Sequence, residues 1–345
     1  MTAAIDIVAT GAVTALGLTA ATSAAAVRAR ISRVQDHPSL ITLDGDPVRM
    51  ACVPQVSSRL RGWQRLVALA QPALRSALYN ALGERRIQGV LPVFVSLPEH
   101  RPGFTADDSE RIVDALTGTL AERATEPRVV VGGRGHAGGI VALAAAAQQI
   151  RARLASICVV LGVDSYRDGA TCEWLDKNGQ LAGGNKRGGF VPGEGAGALV
   201  VVGADVLAHL RIQSQARLLG IHCTREHRLI KTDHDNLGQG LAAAIERATS
   251  TIGKMDNVYC DINGERYRSD EWSLALLRTQ ATFRSFDYES PSDLWGDVGA
   301  ASGPLLSILA IRAWARGYAR GPLALVWGSS EGGDRAAVVL QKPHS

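Results

Sequence analysis

Residues 128–154 read RVVVGGRGHAGGIVALAAAAQQIRARL, and no other stretch narrows the fold as much. The three valines after Arg128 read as a buried strand, and 132–139 as a glycine-rich corner with His136 at its centre. From Ile140 to about Arg151 the chain is helical in character and apolar on almost every face through Ala147. A helix apolar all round lies inside a protein, with other elements on every side. A strand, a corner and a buried helix in succession present one side chain at the helix N-terminus, where backbone N–H groups and the helix dipole favour developing negative charge. Enzymes place nucleophiles at such corners; the residue presented here is histidine.

The other elements follow from periodicity and turn chemistry. Strands are predicted over 5–8, 90–97, 156–164, 196–202, 216–223, 258–262, 323–327 and 336–340. Helices are predicted over 19–31, 63–82, 109–124 (with Asp107 or Asp108 near its N-cap), 237–252, from Ser269 as N-cap to about 280, and 298–316. Between them lie a small-residue corner at 11–18, a polar stretch at 36–50 turning at Asp44-Gly45-Asp46, and a loop at 98–107. A polar loop at 167–189 holds Gly183, Gly184, Gly188 and Gly189, 227–236 is a charged loop, and 283–295 is a connector. Strands alternating with helices mean α/β.

With 345 residues the chain can hold two domains of ordinary size or one large α/β unit. No apolar run reaches the ~18 residues of a membrane span before Gln, Arg or Gly interrupts it. The opening MTAAIDIVATGAV has no basic region before its apolar residues, which argues against a secretory signal. Five cysteines, Cys52, Cys158, Cys172, Cys223 and Cys260, have no CxxC spacing, which points to reduced thiols in the cytoplasm. The net charge is +4 with basic residues dispersed, so no nucleic-acid footprint is expected.

The segment GRGHAGGIVALAAAAQQIRARLASICVVLGVDS has an echo in GDVGAASGPLLSILAIRAWARGYARGPLALVWGSS. Each is a Gly/Ala corner, a buried small-residue helix, a basic tail and a buried strand. Glycine-rich sequence and one more strand follow each, GEGAGALVVV in the first and GGDRAAVVLQ in the second. A duplication this long predicts two similar halves, 1–204 and 205–345, around a pseudo-twofold axis, with the two small-residue helices packed together at the centre.

These residues resemble the thiolase superfamily and, within it, the β-ketoacyl-ACP synthases. The most specific match is GFVPGEGAGALVV at 189–201, close to the family's GFVxGEGAGALVL. ATGAVTALG near the start, VDSY at 163–166, GAASG at 299–303 and SSEGGDRAAVVL near the end support it. IHCTREHR, and DINGERYRSDEW for the family's HGTGTxxxDxxE, match more weakly. The resemblance spans nearly the whole chain. It implies a thiolase-like layered α-β-α-β-α fold of two duplicated halves, and a homodimer or a heterodimer with a related subunit joined through the strand 156–164. An acyl carrier protein is a further implied partner; no cofactor, metal or membrane is. The chain is shorter than typical members, with the loss between VDSY and GFVPGEG.

The departures from the family fall on its chemistry. The nucleophilic cysteine falls on His136. The histidine of HGTGT falls on Asn263, and that of GHxxGAAG on Gly296, or on Asp297 with the register slipped by one. The lysine before that histidine falls on Pro291 or Ser292, and the gating phenylalanines on Ser329 and Glu331. His136, Asn263 and Asp297 are thus the degenerate catalytic positions. Ser329, Glu331 and Glu194 stand on the substrate side, where Glu194 of GEG has a largely structural role in the family.

Condensation needs a thiolate to carry the acyl group and imidazoles to stabilise the enolate and oxyanion. His136 could take an acyl group, but acyl-imidazoles hydrolyse readily. Asn263 can still donate a hydrogen bond. Glu331 and Asp334 would place carboxylates where a lipid-facing pocket wants phenylalanine, which requires a wet pocket or a cationic partner. Cys172 could be an alternative thiol nucleophile. His136 with Asp297 and Glu331 could also bind a metal, and the cluster His222, Cys223, His227, Asp233 and His234 carries metal-ligand residue types without a known spacing. The resulting expectation is a condensing-enzyme shape that has lost the reaction, serving as a partner subunit, as chain-length factors do, or as an adaptor. The alternatives are an acyl-thioester enzyme with changed chemistry (acyltransferase, hydrolase or decarboxylase) and a small-molecule binding protein.

Overall fold

Two buried helices cross at the middle of the molecule, and the sheet wraps around them. The structure is a computed structural model describing residues 4–183, 188–210, 212–230, 232 and 234–343. Its strands are β1 (Ile5–Thr14), β2 (Gln35–Ile41), β3 (Pro47–Met50), β4 (Ile87–Leu97), β5 (Ala124–Arg134), β6 (Ile157–Ser165), β7 (Glu194–Gly203), β8 (Ala216–Arg225), β9 (Asn257–Cys260), β10 (Leu323–Ser329) and β11 (Asp334–Gln341). Its helices are α1 (Ala20–Arg28), α2 (Gly62–Leu82), α3 (Ala106–Leu120), α4 (Gly135–Arg151), α5 (Gly169–Lys177), α6 (Ala204–Leu210), α7 (Gln239–Thr249), α8 (Arg266–Thr279), α9 (Ser292–Trp295) and α10 (Ser302–Ala315).

Nine strands form one mixed sheet in the order β5-β4-β6-β7-β1-β8-β11-β10-β9. The duplication is visible in it. β6 is parallel to β4 and antiparallel to β7, and β7 is antiparallel to β1. In the same way β10 is parallel to β9 and antiparallel to β11, and β11 is antiparallel to β8. The two sets join where Ile5, Asp6 and Ile7 of β1 face Leu218, Arg217 and Ala216 of β8. α2 and α3 pack on the outer face of the first set, α7 and α8 on the outer face of the second, and α4 with α10 fill the space between. That is an α-β-α-β-α layering, and the thickest apolar core is the middle layer.

The middle layer depends on glycine. A Cβ on Gly139 would lie 2.3 Å from Cδ of Pro304, and one on Gly303 would lie 2.9 Å from the backbone N of Ile140. The α4–α10 crossing is therefore closed to any side chain at those two positions.

The structure moves several expected boundaries, each for a local reason. β5 continues through Gly132 and Gly133 to Arg134, so the corner shrinks to Gly135, whose φ of +66° turns strand into helix in a single residue. β1 likewise runs through Gly11 to Thr14. The 36–50 stretch is the β2–β3 hairpin. The N-cap of α3 is Thr105, with Asp108 returning the bond as N3 in a capping box. The 167–189 loop contains α5, capped by Asp168; Gly184 lies outside the described residues. Ser269 is inside α8, which begins at Arg266.

One correction bears on assembly. β6, expected at a subunit edge, is paired on both sides, by β4 and by β7, and Val159 and Val160 are fully buried. The strand at the end of the sheet is β5, where Val130 and Val131 are each 38% exposed. The opposite end, β9, is covered by the chain's own 283–289 segment: the Glu289 N–H donates to the Val258 carbonyl and the Cys260 N–H donates to the Glu289 carbonyl. Among the described residues no helix is long and apolar enough to cross a membrane.

Candidate functional site

His136 lies in the first turn of α4 and is buried. Its Nε2 is 2.9 Å from both carboxylate oxygens of Asp297. Asn263 donates to the same carboxylate at 2.5 Å, and the Gly299 N–H donates to it at 2.7 Å. His136, Asn263 and Asp297 thus meet, although they come from α4, the loop after β9 and the turn before α10. The register is the slipped one: Asp297 faces His136, and Gly296 serves as a turn with φ of +76°. Pro291 and Ser292 line the same small space.

The sequence reading missed the centre of the cluster. Arg268 of α8 is buried, with one guanidinium nitrogen 3.2 Å from Nδ1 of His136. It donates to Asp261 at 2.9 Å, to the carbonyl of Ser329 at 2.8 Å and, through Nε, to Glu265 at 3.2 Å. Glu265 also accepts from Asn263 and from Gln180. Asp261, Glu265 and Arg268 all lie in DINGERYRSDEW. Their crowding just after a buried strand is the available signal, because isolated charges there would be costly.

The electrostatics follow from this packing. Burial drives the imidazole of His136 toward neutrality, and the Arg268 charge acts in the same sense. The Asp297 carboxylate, by charge and hydrogen bond, and Asp261 outweigh them, leaving the pKa above the ordinary 6.5. Burial alone would raise the Asp297 carboxyl; His136, Arg268 and Asn263 hold it well below the carboxylate range. Burial wins at Asp261, whose pKa is raised.

This arrangement leaves little for a substrate. Nε2 of His136 faces Asp297, and Nδ1 faces Arg268. The Ala137 N–H at the start of α4 donates to Oγ of Ser330 at 3.0 Å, and the Ser329 N–H donates to Asp261 at 2.8 Å. The cavity bounded by His136, Asn263 and Asp297 has a volume of about 20 Å³, room for roughly one water. Cys260 also lines it, but burial pushes its thiol well above the usual range, far from a thiolate. Burial likewise lifts Cys172 to about 12.

The remaining candidates sit elsewhere. Ser329 does not line the cavity; its carbonyl accepts from Arg268 and its N–H donates to Asp261. Glu331 is half-buried and accepts from Gln180 at 2.7 Å, and Asp334 is paired with Arg225 near the surface, so neither is a naked charge in an apolar pocket. Glu194 is not brought to His136. It is fully buried and bonded to Arg65, Ser165 and the Val53 N–H. His222 and Cys223 are neighbours in β8 and point to opposite faces, and Asp233 lies outside the described residues. Among the described residues no group of three or more His, Cys, Asp or Glu could hold a metal ion.

No family model matches the sequence, and no curated protein matches it. Solved structures do. A type II polyketide synthase acyl carrier protein in complex with its ketosynthase aligns over all of both chains, with a TM-score of 0.82 at 15% identity. The ishigamide ketosynthase/chain length factor aligns over all of both chains, with a TM-score of 0.79 at 16% identity. The module 6 ketosynthase of the bacillaene synthase from Bacillus subtilis 168 aligns over 99% of this chain and 72% of its own, with a TM-score of 0.77 at 14% identity. The chain has the thiolase-like ketosynthase fold. At these identities the likeness establishes the shape, and the chemistry has to be read from the residues.

Proposed function

We propose that this chain is a ketosynthase-shaped protein that does not condense, acting as a partner subunit or adaptor. The observation that carries the reading is that both ring nitrogens of His136 are engaged, one by Asp297 and one by Arg268, beside a cavity of only about 20 Å³. A general base needs a nitrogen within reach of the substrate's proton, and a nucleophile needs one free to attack. An acyl-thioester enzyme with altered residues would also need room for an acyl chain at this point. Incubation with malonyl- and long-chain acyl carrier protein, read by intact mass spectrometry, is expected to give no adduct. A stable adduct on any residue would overturn the reading.

The partner side rests on β5. An exposed, valine-bearing edge is a template for another strand. We place there either a second copy of this chain or a related ketosynthase-like subunit, with an acyl carrier protein as a further partner. Val130→Lys and Val131→Lys should each lower the assembly mass in light scattering after size exclusion. Val159→Lys, inside the sheet, should instead impair folding. A wild-type monomer that stays monomeric with candidate partners would remove β5 from the reading. We also take 1–204 and 205–345 as the two repeat halves, supported by the matching strand pairings, and the cytoplasm as the working compartment, supported by five cysteines without disulfides.

A further inference from the structure

A groove of about 440 Å³ runs between α1 and α10 and shares no lining residue with the space at His136. Ala21, Ala24 and Ala25 of α1 line one side. Arg28, Arg312, Arg316 and Tyr318 stand around it. Through Arg28 and Tyr318 it continues into a second cavity of about 230 Å³ beside β9.

The charges of the two cavities differ. Around the second cavity arginines carry acidic partners: Arg30 pairs with Asp293 at 2.6 Å and Glu289 at 3.4 Å, and Arg320 with Asp287 at 2.6 Å. Around the groove, Arg28, Arg312 and Arg316 have no carboxylate partner among the described residues. Arg28 lies over the Tyr318 ring, 4.2 Å from its centroid, and Arg312 has its Nε buried with no hydrogen-bond partner. Both are close enough for their charges to act on the Tyr318 hydroxyl.

We propose that this groove binds a phosphorylated small molecule. The guanidiniums of Arg28, Arg312 and Arg316 take the phosphate oxygens, and the alanines of α1 and the Tyr318 ring take its apolar part. Planar guanidinium forks match phosphate geometry, and cations gathered at one concave site favour a polyanion over a single carboxylate. The volume lies within the roughly 300–1,000 Å³ of small-molecule sites.

Equilibrium dialysis of the whole chain against radiolabelled pyrophosphate tests this. Saturable binding of about one pyrophosphate per chain is expected, weakened ~10-fold or more in Arg312→Gln, the loss of a charge-assisted hydrogen bond. Ala25→Glu, at an exposed helix position, should abolish binding without disturbing the fold. Arg266→Gln, exposed and remote from the groove, should leave it unchanged. Binding that persists unaltered in both Arg312→Gln and Ala25→Glu overturns the proposal. So does absence of binding at millimolar pyrophosphate, or capture by phosphatidic-acid vesicles alone, which would assign the groove to a lipid surface.

Discussion

Two buried charge clusters, built from similar residues, show how different the same chemistry can be in two places. Arg65 and Glu194 form a closed pair, with Nε to Oε2 at 2.6 Å and the second nitrogen to Oε1 at 2.5 Å. The Val53 N–H and the Ser165 hydroxyl complete the carboxylate at 2.7 Å each. One positive charge meets one negative charge, and the pair ties α2 to β7 and to the segment after β3. At the start of α4, Asp261, Glu265 and Asp297 face Arg268 and His136. The Oδ1 of Asp261 has no partner, and a small cavity adjoins. The first cluster is neutral and finished. The second is rich in carboxylate and depends on an always-charged arginine and a titratable histidine. Buried polarity therefore marks a structural tie in one place, and in the other a site whose charge balance changes with pH.

The comparison can be broken most forcefully at the arginines. Removing one partner of a buried ion pair costs about 3–5 kcal/mol, because the other charge is left uncompensated. Arg268→Met strands Asp261 and Glu265 and is expected to cost about 5 kcal/mol, while Arg65→Met strands Glu194 alone and should cost about 3 kcal/mol. Urea unfolding of both variants ranks them. An equal or reversed order would mean that His136 alone balances its cluster.

A smaller effect separates the clusters by pH. The folded pKa of His136 is raised, so its contribution is complete below 6.5 and is lost as pH rises through the folded value. Asp297 is held low, so its contribution is present above 3.8 and is lost as pH falls through its folded value. The melting temperature should thus fall as pH rises above 6.5 in the wild type, and this fall should flatten in Asp297→Asn. Asp261, raised mainly by burial, also feels the Asp297 charge, so Asp297→Asn removes one of the charges that raise it. Unchanged alkaline dependence in Asp297→Asn would detach His136 from the balance.

The smallest change is expected from His136→Cys. It puts a thiol in the first turn of α4 but leaves the Asp297 carboxylate beside it and the Ala137 N–H committed to Ser330. No acyl adduct should form with acyl carrier protein, as judged by intact mass. Efficient acylation would show that a single side chain separates the second cluster from an active site.

What the sequence determined by itself is the local order and the repeat. The strands and helices were legible from spacing because side chains two, three and four residues apart share a face whatever the rest of the chain does. The duplicated corner–helix–strand units predicted two similar halves, and the resemblance carried by GFVPGEGAGALVV and its flanking motifs implied the layered fold. Even the pairing of His136 with Asn263 and Asp297 was visible, because motif positions carried it. Arg268 was not: it falls on an unspecified position of the weakly matched DINGERYRSDEW segment, and only the approach of α8 to the start of α4 places its guanidinium on the imidazole. The edge strand was misassigned for a similar reason. The apolar, β-branched pattern of β6 says that it is buried, not what buries it, and β4 and β7 come from distant parts of the chain. Glu194 showed the same limit from the other side, since a buried carboxylate reads alike whether a substrate or Arg65 meets it. Charge balance and edge exposure are properties of how separate segments meet across the sheet, and those distances are set only when the two halves close on each other.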